Sequence, residues 1–300
     1  YNYLNYKGAF APFFIMKKLL FLFAIFTFVL SADEDTFNFS TDSIEDISVF
    51  YVTPKIINKD TRLVVVMHGR KRNGEEYRDQ WIDHAKELNL VVVVPEFSEA
   101  TFPGVHSYNY GNVFNAEGQK QPKESRLFSI MEPLVKESLK KFKIRSDHWG
   151  IYGHGAGAHF VHRYVLYNPQ SSHTLAIAAN LGWYLTMTDK KWPFGLKNSD
   201  ITDAMLKDSF DRYFLLMLGM SDVSTKPNTE YVASIFDKVT DQGKHRLERG
   251  RNFFNGVLKK SNELDTFLKW GLVEVPTKDG HSNTKQMVPF AAELFYERLK

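Results

Sequence analysis

Residues Trp149 to Leu166 read WGIYGHGAGAHFVHRYVL. A short apolar run (Trp149, Ile151, Tyr152) enters three closely spaced glycines, Gly153, Gly155 and Gly157. Phe160, Val161, Tyr164 and Val165 then follow at helical spacing. The pattern is strand, very tight turn, helix. Two chemistries use such a turn. In the nucleophile elbow G-x-S-x-G, a strained turn lifts a serine above a sheet. In the dinucleotide fingerprint G-x-G-x-x-G/A, which Gly153, Gly155 and Ala158 satisfy literally, the turn admits a pyrophosphate. That fingerprint needs an acidic residue about twenty positions further on. After Asp147 the next carboxylate is Asp189, past the following strand, and the motif sits mid-chain. The elbow fits the chain better, although its nucleophile position holds Gly155 and not serine.

Outward from this stretch, strands alternate with helices. Residues 36–52 end in Ile47, Val49 and Tyr51 and predict a pair of leading edge strands. Leu63 to Met67 is a continuous, mostly β-branched run, the mark of a strand buried on both faces, and it ends in His68-Gly69-Arg70. A helix is predicted over Glu75–Leu88 and a second buried strand over Leu90–Val94. The aromatic segment Pro95–Phe114 reads as a functional loop because of its length. Glu124–Lys141 is amphipathic and predicts a helix. Beyond the central stretch come strands at Leu175–Ala179, Tyr213–Leu218 and Gly271–Val275. Helices are expected at about 229–241, 249–262 and 286–299. Such alternation predicts an α/β fold with a mostly parallel central sheet and helices on both faces. Without repeats or linkers, residues 33–300 read as one domain.

Residues 1–32 have a different character. Met16-Lys17-Lys18 precedes the apolar or small run Leu19–Leu30, followed by Ser31-Ala32 and Asp33-Glu34-Asp35. This is the pattern of a signal peptide over about residues 16–31, too short to span a bilayer, so a secreted or periplasmic protein without a stable membrane anchor is expected. Residues 1–15 read as upstream sequence. Lys7, Lys17 and Lys18 are the only charges in this region, so their removal takes Lys+Arg from 38 to 35 against 35 Asp+Glu. A formally neutral chain has no field to attract nucleic acid, so none is expected as partner. The chain has no cysteine, which excludes a thiol nucleophile and cysteine-ligated metal.

The loops after the strands carry the chemistry. In open α/β sheets the site lies beyond the carboxyl ends of the strands. There the chain places His68-Gly69-Arg70, the 153–157 turn, Asp222 and His281. Nucleophile slot, acid and histidine follow in the order Ser…Asp…His typical of α/β-hydrolases. His159 and His162 share a helical face, but with no carboxylate at ligand spacing a structural role is expected and no metal. The basic run Lys244–Arg251 reads as a solvated helix face.

The segments VVVMHGRKRNGEEY, PEFSEATFPGVHSYNYGNVF, IYGHGAGAHFVHRY, NLGWY, LGMSD and DGHS together resemble an α/β-hydrolase of the esterase and polyhydroxyalkanoate-depolymerase-like branch, over most of residues 62–295. The resemblance implies a carboxylic-ester hydrolase needing no cofactor. Position 155 would be the nucleophile, His281 the base and Asp222 its orienter. Backbone N–H groups of Ala156 and of the loop at Gly69–Arg70 would form the oxyanion hole, and Trp183-Tyr184 an aromatic acyl-side wall. The implied substrate is an uncharged ester, small or polymeric. With Gly155 no acyl-enzyme can form, and losing the nucleophile typically removes ~10⁶ in turnover. Glycine also relieves a strained turn. The sequence therefore fits a natural non-catalytic binding module on this fold as well as a serine knockout of an esterase.

Overall fold

A computed structural model of the chain describes residues 33–300 except Ser43, Asn228 and the side chain of Glu45. The leader pattern at 16–31 and the upstream residues lie outside the described residues. In chain order the strands are β1 (Glu34–Thr41), β2 (Ile44–Val52), β3 (Arg62–Met67), β4 (Leu90–Pro95), β5 (Trp149–His154), β6 (Leu175–Ala179), β7 (Thr186–Lys191), β8 (Gly195–Lys197), β9 (Phe214–Gly219) and β10 (Trp270–Val275). The helices are α1 (Gly74–Asp79), α2 (Ile82–Glu87), α3 (Gly104–Ser107), α4 (Met131–Lys141), α5 (Ala156–Tyr167), α6 (Asp203–Phe210), α7 (Glu230–Val239), α8 (Arg246–Glu263) and α9 (Thr284–Arg298).

Eight strands form one sheet in the order β1-β2-β4-β3-β5-β6-β9-β10. β1 and β2 run antiparallel to their neighbours, and from β4 to β10 every pairing is parallel. Alternation along the strands divides the core into two layers. Leu63, Val65 and Met67 of β3 pack on one face with Phe160, Val161 and Tyr164 of α5 and Phe253 of α8. Val64 and Val66 pack on the other with Trp81 and with Met287, Ala291 and Phe295 of α9. Each such buried side chain contributes roughly 1.5–3 kcal/mol. Helices on both faces are what the continuous β-branched runs require.

The centre depends on two of the three glycines. A Cβ on Gly157 would lie 2.0 Å from the Met67 carbonyl oxygen, and one on Gly153 would lie 2.3 Å from the Gly157 carbonyl carbon. α5 can cross the ends of β3 and β5 only because both side chains are absent. Gly155 differs. It takes φ 56°, ψ −110°, and its Cβ would meet only the His281 ring, Nε2 at 3.5 Å. Backbone strain argues for glycine there, but packing does not.

Several boundaries differ from the sequence reading. β2 is an interior strand between β1 and β4, leaving β1 as the edge. The helix expected over Glu75–Leu88 is broken into α1 and α2 at Gln80–Trp81, where the Trp81 indole turns into the core. The one expected from Glu124 begins as two 3₁₀ turns and becomes α4 at Met131. Pro133, whose missing N–H suits a first turn, explains that start. α8 begins at Arg246, and the face read as solvated is not: Arg246 and Arg249 are 5% and 3% exposed. The pair β7–β8 and helix α6 had no periodic signal in the sequence. Among the described residues no helix is long and apolar enough to cross a membrane.

Two predictions follow from this packing. Gly157→Ala should destabilise by about 3 kcal/mol or more, since the obstacle is backbone. Gly155→Ser should cost only the strain of its turn, about 1–3 kcal/mol. Thermal melts of the two variants check this, and equal losses would contradict it. Second, burial holds His68, His154 and His173 at about pKa 3 and pushes His159 and His162 well below their ordinary value. Above about pH 6.5 these groups are neutral folded or unfolded. Between there and about 3 the unfolded chain binds the extra protons, so stability falls with pH by about 1.4 kcal/mol per unit for each histidine. The melting temperature should therefore drop steeply from pH 7 to 5, and a flat profile would contradict the buried-neutral assignment.

Candidate functional site

The site assembles where the parallel strands end. β5 delivers His154 and the turn at Gly155, after which α5 begins at Ala156. The first N–H groups of a helix have no partner within it, so Ala156 presents a free donor beside residue 155. β9 ends at Gly219, and a tight turn (Asp222 N–H to Gly219 C=O, 3.0 Å) sets Asp222, which is 1% exposed. β10 leads into the loop that carries His281 back over the turn.

His281 Nδ1 lies 2.8 Å from Asp222 Oδ2. The opposite ring nitrogen, Nε2, faces residue 155. Sequence positions 155, 222 and 281 thus meet in space. Asp222 has a second partner: Arg246 Nη1 stands 3.4 Å from its Oδ1, and both side chains are buried. Burial by itself would raise the Asp222 carboxyl. The hydrogen bond to His281 and the charges of His281 and Arg246 outweigh that and hold it below its ordinary value.

A layer of amides beneath the turn holds the His281 loop in place. Asn283 Oδ1 accepts from Asn180 Nδ2 and from His154 Nε2, the latter at 3.0 Å. Asn283 Nδ2 donates to the Gly280 carbonyl at 2.7 Å, and the Gly219 N–H donates to Asn180 Oδ1 at 2.7 Å. The ends of β5, β6 and β9 and the loop after β10 are therefore tied through two buried asparagines. Burial and the neighbouring His281 lower His154 to about pKa 3, against the pull of the hydrogen bond its Nε2–H donates to Asn283.

The loop after β3 is clamped from the other side. His68 Nε2 accepts the Phe97 N–H at 2.9 Å, and the Tyr108 hydroxyl donates to the His68 carbonyl at 2.7 Å. Arg72 donates to the carbonyls of Phe97, Phe102 and Gly104 and lies over the Tyr108 ring at 4.6 Å. These bonds join the Gly69–Arg70 loop to the long aromatic segment.

Between the loops lies a cavity of about 410 Å³. Gly69, Arg70, Gly155, Ala156, Trp183 and His281 all line it. Tyr184 does not: it is fully buried and stacked on Phe253 at 4.5 Å, so the adjacent aromatic pair is divided between pocket and core. Trp183 Nε1 donates to the Tyr110 hydroxyl at 3.2 Å, and its ring lies 4.4 Å from that of His159. The lining is aromatic as expected but not neutral: Arg70, Lys71 and Lys285 stand at its edge with Glu76 and Asp279. Among the described residues no group of three His, Cys, Asp or Glu could hold a metal.

Arg246, Asn180, Asn283 and Arg72 escaped the sequence reading. Asn180 opens the quoted segment NLGWY and Asn283 follows DGHS, but no spacing rule assigned either a role. Arg246 carried no signal, since nothing within a basic run separates its one buried ion-paired member.

No protein-family model matches the chain, and no curated protein matches it. Among solved structures it is similar to poly(aspartic acid) hydrolase-1 from Sphingomonas sp. KT-1, with 33% identity and a TM-score of 0.80 over 87% of this chain and 97% of that one. It is similar also to a poly(3-hydroxybutyrate) depolymerase from Bordetella parapertussis, with 28% identity and a TM-score of 0.79 over 89% and 91%. An S-formylglutathione hydrolase from Agrobacterium tumefaciens shares the fold at 16% identity and a TM-score of 0.57, over 90% and 97%. The sheet order, the turn after β5 and the relation to the Sphingomonas enzyme agree: the chain belongs to the α/β-hydrolases, in their esterase and depolymerase-like branch.

Proposed function

We propose that this chain is an exported carboxylic-ester hydrolase scaffold whose nucleophile serine is replaced by Gly155, leaving it nearly inactive as written. The observation that carries this reading is the His281 ring. Its Nδ1 is held on Asp222 at 2.8 Å, and its Nε2 is 3.5 Å from where a residue-155 Cβ would stand. A serine there would bring its hydroxyl within reach of Nε2, which would take the proton as Oγ attacked an ester carbonyl. The Ala156 N–H and one from Gly69–Arg70 would receive the developing oxyanion, each donor adding about 3 kcal/mol of transition-state stabilisation. Asp222, kept ionised by Arg246, would steady the imidazolium. Export rests on the leader pattern at residues 16–31, and a chain recovered outside the cytoplasm with an N-terminus near Ala32 would support it.

The pocket edge bears on substrate. An uncharged ester suits the Trp183 wall, whereas Arg70, Lys71 and Lys285 also favour a chain bearing carboxylates, the kind of polymer for which the Sphingomonas relative is named. A second reading, a non-catalytic ligand-binding module, is favoured by the 410 Å³ cavity, which stands open without any need for a nucleophile.

Gly155→Ser decides between the two. With a chromogenic short-chain ester it should raise turnover by about 10³-fold or more over the unmodified chain, since the loss being reversed is typically ~10⁶ over a residual background. His281→Ala in the serine background should abolish the gain. A folded Gly155→Ser protein that binds ligand but stays silent would favour the binding module.

A further inference from the structure

Resting on the hydrolase reading, we infer that Gly155 does not merely disable the site but opens a second route, in which His281 activates water to attack the ester directly, without an acyl-enzyme. Three features of the site meet at one point. Apart from its chain neighbours His154 and Ala156, a Cβ on Gly155 would have only the His281 ring within 4 Å. The space that a serine CH₂OH would fill therefore remains open to solvent water beside Nε2. Nδ1 is committed to Asp222, which leaves Nε2, the nitrogen that faces this space, to take up a proton. The His281 side chain is 26% exposed, so water reaches it from the cavity.

The step balances with water as the only co-reactant. The water oxygen forms a bond to the ester carbonyl carbon while one of its protons passes to His281 Nε2. The carbonyl oxygen takes up the charge against the Ala156 and Gly69–Arg70 N–H groups. The tetrahedral species collapses by breaking the bond to the alcohol oxygen, which receives the proton from Nε2. The products are one carboxylic acid and one alcohol, and the ring returns to its starting form. A positioned general base contributes roughly 10²–10⁴.

Glycine is essential to this route in a way alanine is not. A methyl at 155 would stand 3.5 Å from Nε2, in van der Waals contact, and occupy the ground the water needs. Gly155→Ala therefore separates an open site from one that merely lacks a nucleophile. It also serves as the second variant should His281→Ala fold poorly.

The experiment compares the unmodified chain with Gly155→Ala, His281→Ala and Gly155→Ser. Each is first checked by melting, then measured for hydrolysis of a p-nitrophenyl ester and for covalent capture of a fluorophosphonate. The unmodified chain should turn over slowly and remain unlabelled, and its rate should fall about 10²-fold in both Gly155→Ala and His281→Ala. Gly155→Ser should be faster and labelled. If the unmodified chain, Gly155→Ala and His281→Ala all share one background rate, the water route is overturned, while an active Gly155→Ser leaves the hydrolase reading standing. Labelling of the unmodified chain would overturn the route by revealing another nucleophile. Silence of Gly155→Ser as well would overturn the hydrolase reading and the inference together.

Discussion

The crossing of α5 over the ends of β3 and β5 governs this molecule. With Gly157 against the Met67 carbonyl and Gly153 against the Gly157 backbone, helix and sheet approach more closely than any side chain permits. Close approach forces the chain to reverse within a single residue, and that residue is 155, at φ 56°. The turn lifts position 155 above the strand ends and begins α5 with an unbonded N–H beside it. A reactive group and a donor for negative charge become neighbours as a by-product of packing.

What surrounds the turn is more polar than a packing core needs to be. Two buried asparagines and His154 tie four strand ends together, and Asp222 is pinned between His281 and Arg246. Buried polar groups of this kind are stabilising only when each has a partner, and they then admit few alternative arrangements. Buried cations recur here: Arg163 lies over the Tyr110 ring at 4.4 Å and donates to the Pro193 carbonyl, while Arg249 donates to those of Gly182 and Gly243. Burial lowers both guanidinium groups to about pKa 10, so they remain charged at neutral pH. Ring faces and a carbonyl compensate Arg163, whereas Arg249 has two carbonyls and the charges of Asp222 and Glu248.

Much of the fold was legible because burial on both faces leaves a local mark. Leu63–Met67, Leu90–Val94 and Leu175–Ala179 are apolar without alternation, and each is a strand of the parallel sheet. Where tertiary packing overrode local pattern, the reading failed. Trp81 broke a helix that its periodicity predicted, and Arg246 and Arg249 went into the interior from a segment whose composition reads as solvated. Tyr184 shares a dipeptide with Trp183 yet faces the opposite way, which no spacing rule separates.

By itself, the sequence determined the strands of the parallel sheet, the family and the absence of a hydroxyl at 155, since each is written in local pattern or residue identity. Only the tertiary structure decided that Gly155 is free of packing constraint while its flanking glycines are not. It alone brought Arg246, at the start of α8, onto Asp222 from 24 residues away, beside the His281 that reaches the same carboxylate from 59 residues away. Those facts depend on the distance between atoms remote in the chain, and that distance is set by how helices seat on the sheet.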